Sequence, residues 1–143
     1  MLKNIPRVLS PQLLKVLSEM GHGDEIVIAD GNFPAESMGK NCVIVRMDGH
    51  EACELLKSII KFFPLYQGAC LPVMVMETDD GSLPPIWDEY LKILIDEETE
   101  RYNSGMERLA RNDFYERAKR AYAIIATGER ALYANIILKK GVC

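Results

Sequence analysis

The spacing of apolar residues changes character several times along the chain. After Ser10, Leu13, Leu14, Leu17 and Met20 recur at helical spacing, with Pro11 just inside the start and Gly21 just past the end. That is the pattern of a helix with a serine cap and a glycine stop. Ile26, Val27, Ile28 and Ala29 then follow without a polar break, and residues 43–45 repeat the pattern. Short unalternating runs of this kind predict strands covered on both faces, here read as neighbours in a buried sheet. Between Asp48 and Phe63 the residues Ala52, Leu55, Leu56, Ile59, Ile60 and Phe63 form one helical stripe, and Asp48 with Glu51 resembles a capping box.

Residues 71–76 read as another strand, with Pro72 at its start or on an edge. Pro84-Pro85 then opens a second helical stripe through Ile86, Trp87, Tyr90, Leu91, Leu94 and Ile95. The last third predicts a short strand at 106–109, a short helix at 114–120, and strands at 122–127 and 132–138. Strands alternating with helices argue for a single α/β domain over residues 1–143, with a mixed, largely covered sheet flanked by helices. The mixed character is inferred from Thr127-Gly128-Glu129-Arg130, which is short enough to close a hairpin.

Composition narrows the function. A chain of 143 residues with 48% apolar and 27% charged side chains has the size and character of one compact domain. The formal charge is -4 and there is no basic block, so nucleic acid is not an expected partner. The longest apolar runs fall far short of a bilayer span and the N-terminus has no signal-peptide core, so a cytoplasmic protein without a membrane partner is expected. Four cysteines without a C-x-x-C pair and two histidines indicate neither a disulfide framework nor a zinc site. Gly39-Lys40-Asn41 lacks the hydroxyl residue of a P-loop, with Pro34 in place of its first glycine. Ser37 likewise has Ala35 where a nucleophile elbow needs glycine. The expected chemistry therefore involves neither cofactor nor covalent intermediate.

Several residues could carry such chemistry. His22 lies in Gly21-His22-Gly23-Asp24, where two glycines leave the imidazole uncrowded, and an imidazole near neutral pH serves as acid or base. The same pattern fits an exposed loop histidine beside a helix end. His50, in the first turn of a helix, has a more strongly structural character. Asp30 closes a buried strand, the end at which α/β sheets bind ligands, although an Asx turn would also place an aspartate there. Tyr133 and Asn135 fall on one face of the last predicted strand, with Leu132, Ala134, Ile136 and Leu138 on the other. A phenol beside an amide suits hydroxyl binding, and an exposed sheet face looks the same. Arg111 and Tyr115 flank the start of the short helix, as a solvated base and a half-buried aromatic would.

Taken together, Gly21-His22-Gly23-Asp24-Glu25, Asp30 with Phe33-Pro34-Ala35 and Ser37-Met38-Gly39, Phe114-Tyr115-Glu116-Arg117-Ala118, Thr127-Gly128-Glu129, and Tyr133-Ala134-Asn135 with Lys139-Lys140-Gly141 resemble the sugar mutarotase family of L-fucose mutarotases and D-ribose pyranases. The likeness covers nearly the whole chain and leans to the fucose branch. It implies a cytoplasmic, cofactor-free isomerase of a free monosaccharide, assembled as a ring-shaped homodecamer with sites near subunit interfaces. It implies His22 as proton donor and Asp30, Arg111, Tyr115, Tyr133 and Asn135 as sugar contacts. Ribose pyranase activity and non-catalytic sugar binding are the alternative functions. Two positions depart from the family pattern: Ala134 replaces a common glycine, and Tyr66 stands where relatives often carry an acidic residue that helps hold the sugar.

Overall fold

A computed structural model describes residues 1–97 and 105–143. The elements run α1 (Pro11–Glu19), β1 (Glu25–Ala29), α2 (Ala35–Met38), β2 (Val43–Met47), α3 (Ala52–Ile59), β3 (Val73–Met76), α4 (Pro85–Glu97), β4 (Glu107–Leu109), α5 (Arg111–Ala118), β5 (Ala123–Thr127) and β6 (Ile136–Lys139). The Ser10 side chain accepts the Leu13 N–H at 3.2 Å, the cap expected for α1. Among the described residues no helix is long and apolar enough to cross a membrane.

The strands form one mixed sheet in the order β2-β5-β1-β6-β3-β4. Only β6 opposes its neighbours, running antiparallel to β1 and β3, while the β1–β5, β2–β5 and β3–β4 pairs are parallel. The carboxyl ends of five strands therefore share one edge. One face of the sheet, through Ile26, Ile28, Val75, Ile125, Ile136 and Leu138, packs under α1, α3 and α4. The other, through Val27, Ala29, Met74, Ile124 and Ile137, packs on α2 and α5. The alternation within β1 thus feeds two cores. Leu13, Leu55, Leu56 and Ile59 are fully buried, each contributing about 1.5–3 kcal/mol of burial.

Four expectations need correction. The strands read as neighbours, β1 and β2, are separated by β5: Ile124 faces Val27 on one side and Ile44 on the other. The cover expected on both faces of residues 43–45 is also missing: β2 is an edge strand in which Val45 and Met47 are buried while Val43 is 38% exposed, so its apolar run reports neither partner nor depth. No hairpin joins β5 to β6, because both pair with β1 from opposite sides. The connection from Gly128 to Asn135 instead crosses the carboxyl end of β1. The capping box before α3 does not form, since Asp48 binds Arg46 and the cap residue Glu51 makes no side-chain cap. The Ala52 N–H donates to Glu129 Oε2 instead, at 3.2 Å. A long-range carboxylate satisfies the helix end that the local sequence was expected to satisfy.

Candidate active site

The β5–β6 crossing sets the geometry at the carboxyl edge. Strand β6 begins at Ile136, four residues later than its apolar pattern suggests, because residues 133–135 are bound by side chains from elsewhere. The Trp87 indole N–H donates to the Tyr133 carbonyl at 3.0 Å, and the Tyr90 hydroxyl donates to the Ala134 carbonyl at 2.6 Å. Tyr133 takes a left-handed φ of 56°, a conformation that such anchoring must hold in a non-glycine residue. Leu132, expected on the core face, is 70% exposed.

Asn135 locks the crossing to the end of β1. Its Oδ1 accepts the Asp30 N–H at 2.8 Å, and its Nδ2 donates to Asp30 Oδ2 at 2.9 Å. The Asn32 N–H donates to Asp30 Oδ1 at 3.0 Å, so the Asx turn and the buried carboxylate coexist at one residue. Asp30 and Asn135 are 8% and 5% exposed, where an unpaired polar group costs about 1–3 kcal/mol.

Burial pushes the Asp30 carboxyl above its ordinary value of 3.8, and the Glu129 carboxylate adds to the rise; hydrogen bonds from Asn32, Phe33 and Asn135 oppose it. A carboxyl raised in this way binds its proton more tightly in the folded chain. The stability it contributes is therefore full below the unfolded value and lost as pH rises through the folded one. The wild type is expected to gain stability relative to Asp30→Asn as pH is lowered from neutrality toward 4, read as the difference in urea midpoints. A difference that shrinks over that range would mean that the carboxylate is not penalised by the fold.

Around Asp30 lies a pocket of about 320 Å³, lined also by Phe33, Met76, Arg111, Tyr115, Tyr133 and Asn135. Helix α5 starts at Arg111, three residues earlier than expected, which puts Arg111 and Tyr115 one turn apart on one face. Tyr115 and Phe114 both pack against Phe33. Arg111 Nη2 reaches Asp79 Oδ2 at 2.8 Å and the Tyr133 hydroxyl at 3.4 Å. A larger groove of about 780 Å³ adjoins across Leu132 and Tyr133. Its walls include Pro84, Pro85, Ile86 and the carboxylates of Glu51, Asp79, Asp80, Glu89 and Glu129, and among the described residues no Lys, Arg or His lines it.

The structure gathers Asp30, Arg111, Tyr115, Tyr133 and Asn135 at this pocket and places His22 elsewhere. His22 precedes the amino end of β1, a strand of five residues and so about 17 Å long. The imidazole is exposed and lies against Tyr66, with ring centroids 5.3 Å apart. The Lys139 ammonium sits 4.5 Å from the same tyrosine ring. The His22 loop is tied to the end of β6: the Gly23 N–H donates to the Lys140 carbonyl at 2.8 Å, and Lys140 Nζ donates to the Leu17 and Met20 carbonyls. His50 is outside the pocket and pairs with Glu54 at 3.0 Å.

Two residues without an assigned role in the sequence reading occupy key positions. Glu129, in the Thr-Gly-Glu segment, is buried and accepts N–H bonds from Ala52, Arg130 and Ala131. Asp79 closes the Arg111–Tyr133 pair. Its sequence signal is the one that singles out Asp30, an acidic residue soon after an apolar strand run. Glu25 and Arg117, from two of the quoted motifs, meet in an ion pair that ties α5 to β1 at 2.6 Å. Among the described residues no three His, Cys, Asp or Glu side chains cluster as a metal site.

A covered α/β sheet with a small pocket at the strand carboxyl ends, lined by Asp30, Arg111, Tyr133 and Asn135, defines a protein of the class that binds small polar molecules at that edge. The family described as the RbsD / FucU transport protein family matches residues 3–143, and the chain belongs to it. A fucose mutarotase of Danio rerio is 49% identical over 99% of this chain and 94% of its own length. The crystal structure of the fucose mutarotase of Streptococcus pneumoniae in complex with L-fucose is 48% identical, with a TM-score of 0.91 over 99% of both chains. The structure of Bacillus subtilis RbsD complexed with D-ribose is more distant, at 26% identity and a TM-score of 0.73 over 100% of this chain and 99% of that one.

Proposed function

We propose that this chain is an L-fucose mutarotase, an isomerase that interconverts the α and β anomers of the free sugar without a cofactor. The observation that carries the reading is the convergence of Asp30, Arg111, Tyr133 and Asn135 on one small pocket, in a chain nearly half identical to fucose mutarotases. Mutarotation needs only proton transfers. A base takes the proton from the anomeric hydroxyl, the electron pair forms the C1 carbonyl, the bond from C1 to the ring oxygen breaks, and that oxygen takes up a proton. The aldehyde turns and closes on its other face, and the protons return. Arg111, Tyr133 and Asn135 hold the sugar hydroxyls, Tyr115 supplies an aromatic wall, and Asp30 accepts from a hydroxyl of the bound ring.

His22 is the proton donor in this reading, and it serves the pocket of a second copy. It stands at the amino end of the strand whose carboxyl end carries Asp30, so two chains must meet for imidazole and pocket to share a sugar. A homo-oligomer with shared sites follows, and the ring-shaped homodecamer implied by the family resemblance, working in the cytoplasm, meets that requirement. Tyr66 travels with His22 and brings a phenol where relatives often have an acid.

Two-dimensional exchange NMR tests the activity. Purified protein is expected to produce exchange cross-peaks between α and β L-fucose at a rate proportional to protein concentration. Pyranose to furanose exchange of D-ribose is expected to be accelerated much less. Acceleration on ribose alone would make the chain a ribose pyranase, and binding without acceleration would make it a sugar-binding module.

A further inference from the structure

The loop after β3 places a carboxylate in the adjoining groove, where Tyr133, which lines both cavities, separates it from the Asp30 pocket. Thr78 Oγ1 donates to the Ser82 carbonyl at 2.8 Å, the Ser82 N–H donates to Asp80 Oδ1 at 3.0 Å, and Gly81 takes a φ of 72°. Thr78, Asp80 and Ser82 thus shape the turn, while Asp79 points across it. Asp79 Oδ2 accepts from Arg111 Nη2 at 2.8 Å and from the Tyr133 hydroxyl at 3.1 Å. The Asp79 N–H reaches the same hydroxyl at 3.4 Å. Three separate elements are joined at one point: the loop after β3, the first turn of α5 and the β5–β6 crossing.

The charge arrangement carries a consequence for ligand choice. A guanidinium beside hydroxyl-binding groups is recognition chemistry for carboxylate and phosphate, and Arg111 is the cation lining this pocket. A free sugar offers no counter-charge, so an unpaired Arg111 would favour acidic or phosphorylated sugars over it. Asp79 supplies the negative charge from the protein side and occupies one arm of the fork. We propose that Asp79 is a positioning and specificity residue: it holds Arg111 and the Tyr133 hydroxyl in place for a neutral sugar and denies the guanidinium to anionic ones. This rests on the fucose mutarotase reading, and it adds a repulsive element of the kind that specificity requires.

Asp79→Asn keeps the shape and removes the charge, Asp79→Ala removes both, and Asp79→Glu restores the charge. L-fucose 1-phosphate, which cannot open its ring, serves as the anionic probe, measured as an inhibitor of L-fucose exchange and by calorimetry. Inhibition is expected to tighten about tenfold in Asp79→Asn and Asp79→Ala and to return toward the wild-type value in Asp79→Glu. KM for L-fucose is expected to rise more than kcat falls in Asp79→Ala, because Arg111 and the Tyr133 hydroxyl then lose their shared anchor. Unchanged anion affinity in both charge-removing variants overturns the proposal, whatever happens to KM. If the wild type accelerates no exchange, the fucose reading fails by itself, and the calorimetric comparison with L-fucose 1-phosphate still decides whether Asp79 repels anions.

Discussion

His22→Ala is expected to lower protein-catalysed exchange of L-fucose anomers by about 100- to 10,000-fold, the usual contribution of a positioned acid or base. The fold should be unaffected, since the side chain is exposed and its loop is held by backbone and Lys140 bonds. Asp30→Asn is expected to be similarly impaired, for loss of the sugar contact. The informative experiment is their combination. If imidazole and carboxylate belong to different chains at each site, co-refolded His22→Ala and Asp30→Asn chains recover about a quarter of wild-type exchange, because random pairing rebuilds that share of sites. If both groups act from the same chain, no mixed site is whole and the mixture stays as inactive as its parts. Exchange NMR on the separate and mixed proteins reads the difference directly.

The elements were largely legible because each depends on a short stretch of sequence. The stripe Leu13, Leu17, Met20 and the run from Ile26 to Ala29 give α1 and β1 within a residue or two. Strand order was not legible, because an apolar run is silent on its partner, and the run at 43–45, read as covered on both faces, belongs to a partly exposed edge strand. Thr127-Gly128-Glu129-Arg130 has the length of a hairpin, yet β1 takes the place between β5 and β6. The same limit applied at the site. Asp30, Arg111, Tyr115, Tyr133 and Asn135 were singled out by position and resemblance, and they converge. Asp79 carries the local signal of Asp30, an acid soon after an apolar strand run, but lies in none of the motifs that carry the resemblance, and its partners are 32 and 54 positions away. The strand expected to carry Tyr133 and Asn135 gives way to a bent crossing, since Trp87 and Tyr90 hold its carbonyls out of the sheet. The separation of His22 from Asp30 could have been anticipated: both flank one strand, and a strand puts its ends at opposite edges of the sheet.

Gly128→Ala is expected to be strongly destabilising. A Cβ at this position would lie 2.1 Å from the Asp48 carbonyl oxygen and 3.1 Å from its carbon. Both are backbone atoms, so no side chain can turn aside to make room. The Gly128 N–H donates to the His50 carbonyl at 2.9 Å, and the approach is tight because β2 and β5 pair up to Met47 and Thr127, one residue earlier. Relief must come from moving the two strand ends apart, at a cost of about 2–3 kcal/mol, or a melting temperature lower by roughly 5–10 °C. Gly49→Ala is the control, since a Cβ there meets nothing within 4 Å, and it should change stability by no more than about 0.5 kcal/mol. The damage reaches the pocket by a short path. The Glu129 carbonyl accepts the Gly31 N–H at 2.9 Å, and Thr127 Oγ1 donates to the Ala29 carbonyl at 2.7 Å. A displaced Gly128 therefore shifts the residues on either side of Asp30. Thermal and urea denaturation of the two variants, with exchange measured well below the melting range, separates loss of fold from loss of site. Equal stability of Gly128→Ala and Gly49→Ala would mean that this crossing yields where the geometry says it cannot.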